Sequence, residues 1–169
     1  MSATRIERRH TIEIARPIET VFPLFTPRGE EAWAPGWAPE YLHPADGEVG
    51  EGMVFRTFHD DETTLWGCVL FRPEAHRVRY ARVTPTSRFG FVDIACRRIA
   101  PERTAVAVGY DYTALTAAGE AFLADFGAVR FAAMIEGWRD EIEASFAVTL
   151  EPSVDRQAVG GEVEGEPFR

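Results

Sequence analysis

From Arg5 to Arg16 the chain reads RIERRHTIEIAR, with Ile12 and Ile14 set between polar neighbours. Alternation at period two predicts a strand buried on one face. The period then changes. In PIETVFPLF, Ile18, Val21, Phe22 and Phe25 recur at three- and four-residue steps behind Pro17. Proline suits a first helical turn, where its missing N–H would be unbonded anyway, so a short helix is predicted, limited by Pro23 to a turn or two. A second short helix is predicted over Arg28 to Trp33.

The stretch EEAWAPGWAPEYLHP breaks every period, with two Trp-Ala-Pro triplets four residues apart and a further proline at Pro44. Prolines fix their own φ and push the preceding residue toward extended backbone, so an irregular loop is predicted. From Gly50 onward, apolar-rich runs are separated by compact turn signals: GMVFRTFHD, TTLWGCVLF, HRVRYARVT, RFGFVDIACRRI and TAVAVGYDYTAL. That spacing predicts an antiparallel meander of five strands, six with the first.

Past Thr116, which with Glu120 resembles a helix start, the apolar residues return to helical steps: Phe122, Phe126, Val129 and Ala133, then Phe131, Ile135, Trp138, Ile142 and Phe146. One helix of about eight turns is predicted. Residues 148–169 lose the pattern and gain Gly, Pro and acid, and are expected to form a flexible acidic tail behind a single domain over 5–147. The predicted class is α+β: a curved antiparallel six-stranded sheet around a long C-terminal helix. A gap between sheet and helix suits a ligand cavity.

In this order of elements, and in ARPIETVFPLF, RPEAHRVRYARVTP and YDYTALTAAGEAF, the chain resembles the START-like or SRPBCC superfamily, the helix-grip fold of the birch-pollen allergen and the polyketide cyclases. The resemblance covers Arg5 to about Phe146. It implies a cavity between sheet and C-terminal helix, with the Trp-Ala-Pro loop near its rim. It leaves the activity open, because the superfamily includes carriers, receptors and enzymes.

Composition narrows the partners. The 169 residues are 46% hydrophobic and 27% charged, as in an ordinary globular domain, and carry a net charge of -9. That charge argues against nucleic acid and anionic membrane surfaces as partners. No run is long enough to span a bilayer, and MSATRIERRH lacks the apolar segment of a signal peptide. Cys68 and Cys96 form no CxxC, so a reduced, cytoplasmic protein is expected, monomeric or homodimeric, with no cofactor. The histidines His10, His43, His59 and His76 are scattered without metal-ligand spacing, and no metal is expected.

Alternation sorts the candidate chemistry. Val106, Val108, Tyr110 and Tyr112 share one strand face, and Ala105, Ala107, Gly109 and Asp111 the other. With the bulky face inward, the two tyrosines become either cavity walls with hydroxyl handles or plain core. Trp66, Cys68 and Leu70 share a face, as do Tyr80 and Arg82, and both sets are placed inward. Arg82 and Asp93 lie on consecutive strands and either meet as a buried pair or point outward into solvent. Arg130 interrupts the helix stripe between Phe126 and Met134, either facing a ligand's acidic group or covering apolar surface with its stem. Trp33 is expected to close the second short helix, and Trp37 to stand on the cavity rim; the alternative makes both core plugs. With Phe55, the ligand-lining candidates are thus Trp37, Phe55, Trp66, Tyr80, Arg82, Tyr110, Tyr112, Phe126, Arg130 and Met134.

Three functions are compatible with this pattern. The first is binding or transport of a small, mostly apolar or amphipathic molecule. The second is a cyclase or dehydratase acting on a polyketide-like substrate, with Tyr110, Asp93 or His59 as acid–base groups and Arg82 or Arg130 polarising a carbonyl. The third is a protein-interaction module of the chaperone-activator type, which requires an exposed apolar patch around Trp37, Tyr41 and Leu42.

Overall fold

The computed structural model describes residues 3–149. Strand β1 (Arg5–Ile14) leads into α1 (Ile18–Val21), a 3-10 turn (Phe22–Phe25) and α2 (Pro27–Glu30). Strands β2 (Glu40–His43), β3 (Val54–His59), β4 (Glu62–Arg72), β5 (Arg77–Thr84), β6 (Arg88–Ala100) and β7 (Arg103–Ala114) follow, then α3 (Ala117–Asp125) and α4 (Ala128–Thr149). All seven strands form one antiparallel sheet in the order β1-β7-β6-β5-β4-β3-β2. This is the helix-grip arrangement, with α4 packed across β1.

The predicted six strands become seven. The added β2 lies within the proline-rich segment, in the four residues between Pro39 and Pro44, where no proline removes a donor. It pairs only with β3, and Glu40 and Arg56 clasp across the pair at 2.7 Å. As an edge strand it tolerates flanking prolines that a central strand would not.

The single C-terminal helix is instead two. Thr116 does cap the first, its Oγ1 accepting from the Gly119 N–H at 3.2 Å. Helix geometry then fails at Phe126 (φ -83, ψ 59), followed by Gly127. Phe126 is drawn into a cluster with Tyr110, Tyr112, Phe122 and Phe131, at ring separations of 5.3–6.3 Å. Because the break resets the rotation, Val129, predicted in the apolar stripe, is 86% exposed. Phe131, Ile135 and Ile142 take up the buried face. The tail expected over 148–169 lies beyond the described residues from 150 on, and Val148 and Thr149 belong to α4.

The core joins the sheet's inner face to α1, the 3-10 turn and α4. Ile14, Val21, Phe25, Val106 and Ile135 are completely enclosed. A fully buried side chain of this size contributes about 1.5–3 kcal/mol. The second short helix, expected over Arg28 to Trp33, ends at Glu30; Trp33 lies in the turn beyond it, buried, with its Nε1 donating to the Leu24 carbonyl at 2.8 Å. Among the described residues no helix is long and apolar enough to cross a membrane.

Candidate functional site

The inner face of the sheet does not fill the space under α4. A cavity of about 480 Å³ remains, lined from the sheet, the Trp-Ala-Pro segment and the two C-terminal helices. All ten lining candidates named from the sequence border it. Period two puts them there: Tyr80 and Arg82 on β5, and Tyr110 and Tyr112 on β7, lie on the faces that also bury Val78, Val106 and Val108.

Its walls are aromatic. Phe55 and Trp66 stack at 5.5 Å with rings 6° apart, and Trp37 meets both edge-on. Trp37 is half-buried, and its Nε1 donates to the Pro27 carbonyl at 2.8 Å. It is a wall of the cavity more than an exposed lip. Exposed Pro35, Gly36, Phe58 and His59 line the opening beside Arg130 and Glu141. Tyr110 is part of the lining, tilted against Phe131 and Trp138 and edge-on to Tyr112. Among the described residues nothing hydrogen-bonds its hydroxyl, and burial raises its pKa well above the ordinary phenol value. Tyr80 is raised too, first by burial and then by the charge of Glu30; its hydroxyl donates to the Phe25 carbonyl at 3.3 Å.

Of the arginines lining the cavity, Arg82 is the one without a carboxylate partner among the described residues. Its guanidinium lies over Trp66 at 4.4 Å, donates to the Tyr112 hydroxyl at 2.9 Å, and reaches Thr64 Oγ1 at 3.4 Å. Its Nε is buried without a partner, and among the described residues no carboxylate lies within ion-pair distance of it. Because Tyr112 accepts from Arg82, the tyrosine's own proton remains free to donate. The ring lies over Gly90, where a Cβ would meet Tyr112 Cδ1 at 2.4 Å.

Neither alternative for Arg82 and Asp93 holds whole: Arg82 faces inward, Asp93 outward, and the two do not meet. The two strands pair Arg82 with Gly90 and Asp93 with Arg79, and Asp93 takes the opposite face. There it lies 3.6 Å from Arg79, outside the cavity, in a group centred on buried Asp111. Period two on β6 explains this: Arg88, Gly90, Val92 and Ile94 point inward, so Asp93 cannot. His59 does not reach in either; its side chain is 90% exposed and faces Asp60 at the opening. Arg130 borders the opening but is exposed and ion-paired with Asp125. The exposed patch around Trp37, Tyr41 and Leu42 that the interaction-module reading requires does not form. Trp37 and Tyr41 are half-buried, and the Tyr41 hydroxyl bonds the Glu31 carboxylate.

Among the lining residues that sequence reasoning missed, Arg88 and Glu30 carry charge chemistry. Arg88 is buried against Phe122 at 3.7 Å and paired with Glu62 at 3.3 Å. It continues the inward alternation of Val92 and Ile94, a signal present in the sequence. Glu30, the last residue of α2, also lines the cavity, and among the described residues no group hydrogen-bonds its carboxyl. Burial raises it to about 8. No sequence signal sets it apart from the adjacent Glu31, which faces Tyr41 and Arg28. Among the described residues no cluster of His, Cys, Asp and Glu could hold a metal.

No protein-family model matches the chain, and no curated protein matches it. Solved structures do. A norcoclaurine synthase from Thalictrum flavum, in complex with dopamine and hydroxybenzaldehyde, aligns at a TM-score of 0.62 and 13% identity, over 90% of this chain and 91% of that one. A major latex-like protein from Panax ginseng aligns at 0.61 and 14% over 83% and 96%. A Streptomyces aromatase/cyclase aligns at 0.54 and 18% over 87% and 90%. At such identities the likeness concerns fold alone. Sheet, paired short helices and C-terminal helix together give this chain the helix-grip fold that these structures share.

Proposed function

We propose that the protein binds a small amphipathic molecule in this cavity, its apolar body against Trp37, Trp66 and Tyr110 and an anionic head at Arg82. The observation that carries the reading is Arg82: a permanent cation set among aromatic rings, with no carboxylate partner among the described residues. A charge in such surroundings gains most from a counter-ion when solvent is excluded, and a bound anion supplies it. Tyr112, free to donate, would provide a second hydrogen bond to the same head.

The test is a titration with 2-naphthoate and uncharged 2-methylnaphthalene, followed by quenching of tryptophan fluorescence. Naphthoate binds about tenfold more tightly, the worth of one charge-assisted hydrogen bond. Arg82→Met removes that preference, and Tyr110→Ala weakens both compounds. If neither compound quenches the wild-type protein, the reading is wrong.

A second reading, a cyclase or dehydratase, is favoured by the unpartnered Tyr110 hydroxyl, a proton donor beside the groups that Arg82 would polarise. It predicts that a linear poly-β-keto thioester loses water to give a ring faster with the protein than in buffer. Tyr110→Phe should remove the acceleration, whereas a carrier would show none to remove.

A further inference from the structure

The cavity has a second polar group, and it differs in kind from Arg82. Glu30 ends α2, its backbone N–H held by the Thr26 carbonyl at 2.9 Å and its own carbonyl accepting from Ala34 at 2.8 Å. The main chain is therefore committed, and only the carboxyl is available to the space it borders. Around that space stand Trp33, Trp138, Tyr80 and Tyr110. The Tyr80 hydroxyl is engaged with Phe25, and Tyr110 lies within the electrostatic reach of both Glu30 and Arg82.

A carboxyl among rings, with neither hydrogen bond nor cation, is stable chiefly in its uncharged form. In that form it carries one O–H that nothing among the described residues accepts. We infer that Glu30 is a second ligand-binding group of the cavity, donating its carboxyl proton to an uncharged oxygen of a ligand whose anionic head lies at Arg82. The chemical class follows: an aromatic or polycyclic acid that also bears a carbonyl or ether oxygen. This rests on the reading of the cavity given above and narrows it.

The arrangement makes one contact dependent on proton loss. Burial places Glu30 at about 8. The other shifted groups facing it are moved away from that region: Tyr41 on β2, Tyr80 on β5 and Tyr110 on β7 are all raised above the ordinary phenol value. The remaining charged groups on the cavity are Arg82 and the Arg88–Glu62 pair on the sheet, Arg130 and Glu141 on α4, and His59 at the opening. As Glu30 ionises it loses its donor and adds a negative charge to the cavity that holds the anion, so both effects weaken the same ligand.

The experiment compares 6-acetyl-2-naphthoate with its 6-isopropyl counterpart, equal in shape but lacking the acceptor, by tryptophan quenching at about pH 6 and about pH 9. In the wild type the ketone binds about tenfold more tightly at the lower pH, and the advantage disappears at the higher one. Glu30→Gln, which keeps an N–H donor at every pH, retains the preference at both. Glu30→Leu abolishes it at both while leaving the isopropyl compound bound. His59→Gln behaves as wild type. Equal affinities at the lower pH, or a preference unchanged at the higher pH in the wild type, overturn the inference while the cavity reading stands. Failure of both compounds to bind overturns the cavity reading, and this inference with it.

Discussion

At the scale of single residues, Glu30 and the two cysteines show how burial rewrites ordinary chemistry. The Glu30 carboxyl is raised from 4.5 to about 8 by desolvation alone. Below about 4.5 folded and unfolded chains both hold the proton, and the group has no effect on stability. Between the two values the unfolded chain sheds the proton while the folded one keeps it, so stability falls as pH rises, and above about 8 the deficit is constant. Glu30→Gln removes the deficit and should stabilise the protein by about 1–3 kcal/mol near neutral pH, with no gain near pH 4, as urea denaturation at the two pH values will show. Cys68 and Cys96 are buried and pushed up to about 11 and about 12. With almost no thiolate at pH 8, both should resist a disulfide reagent such as dithionitrobenzoate in the native protein and react promptly in denaturant. Fast reaction of either thiol in the native state would contradict this packing.

At the scale of elements, two short features position much larger ones. Thr116 caps α3 through Gly119, and Thr116→Ala should cost about 1 kcal/mol, read as a lower urea midpoint with an unchanged slope. Gly90 sets the height of β7 side chains above the sheet, because a methyl group there would meet both Tyr112 and the Asp111 carbonyl at 2.4 Å. Gly90→Ala should therefore destabilise by about 1–3 kcal/mol, the range for overpacking, and displace the Tyr112 hydroxyl from Arg82. Its second readout is a lost preference for naphthoate over methylnaphthalene. A stable Gly90→Ala protein with intact preference would show that Tyr112 does not hold the head group. The break at Phe126 is a third such feature, since it lets α4 start afresh with Phe131 and Ile135 toward β1 and β7.

At the scale of the whole molecule, the aromatic side chains divide between core and cavity. Phe25 and Trp33 seal one side, while Trp37, Phe55 and Trp66 leave a wall facing empty space. A ligand that fills this space binds the folded chain alone and must stabilise it. Saturation of the wild type with 2-naphthoate, at about a hundredfold its dissociation constant, should add about 2.7 kcal/mol and raise Tm by several degrees. No change in Tm at that saturation would place the compound elsewhere than in the fold.

The sequence by itself determined which elements form and which faces they bury. Period two on β6 and β7 placed Val92, Ile94, Tyr110 and Tyr112 together, and the cap at Thr116 was readable where α3 begins. These are local properties, settled by the alternation of side chains along a strand and by one hydroxyl at a helix start. Tertiary structure alone decided the rest. Period two already turned Asp93 outward, but register chose the partners, Gly90 opposite Arg82 and Arg79 opposite Asp93, because pairing between strands depends on turns that period does not measure. The C-terminal helix broke at Phe126 because a ring cluster from other elements outweighed the helical preference of its own segment. Glu30 and Glu31, neighbours with one chemistry, became a half-buried acid lining the cavity and a surface partner of Tyr41 through the direction in which α2 ends. Desolvation belongs to the assembled surroundings, and no property of an isolated glutamate contains it.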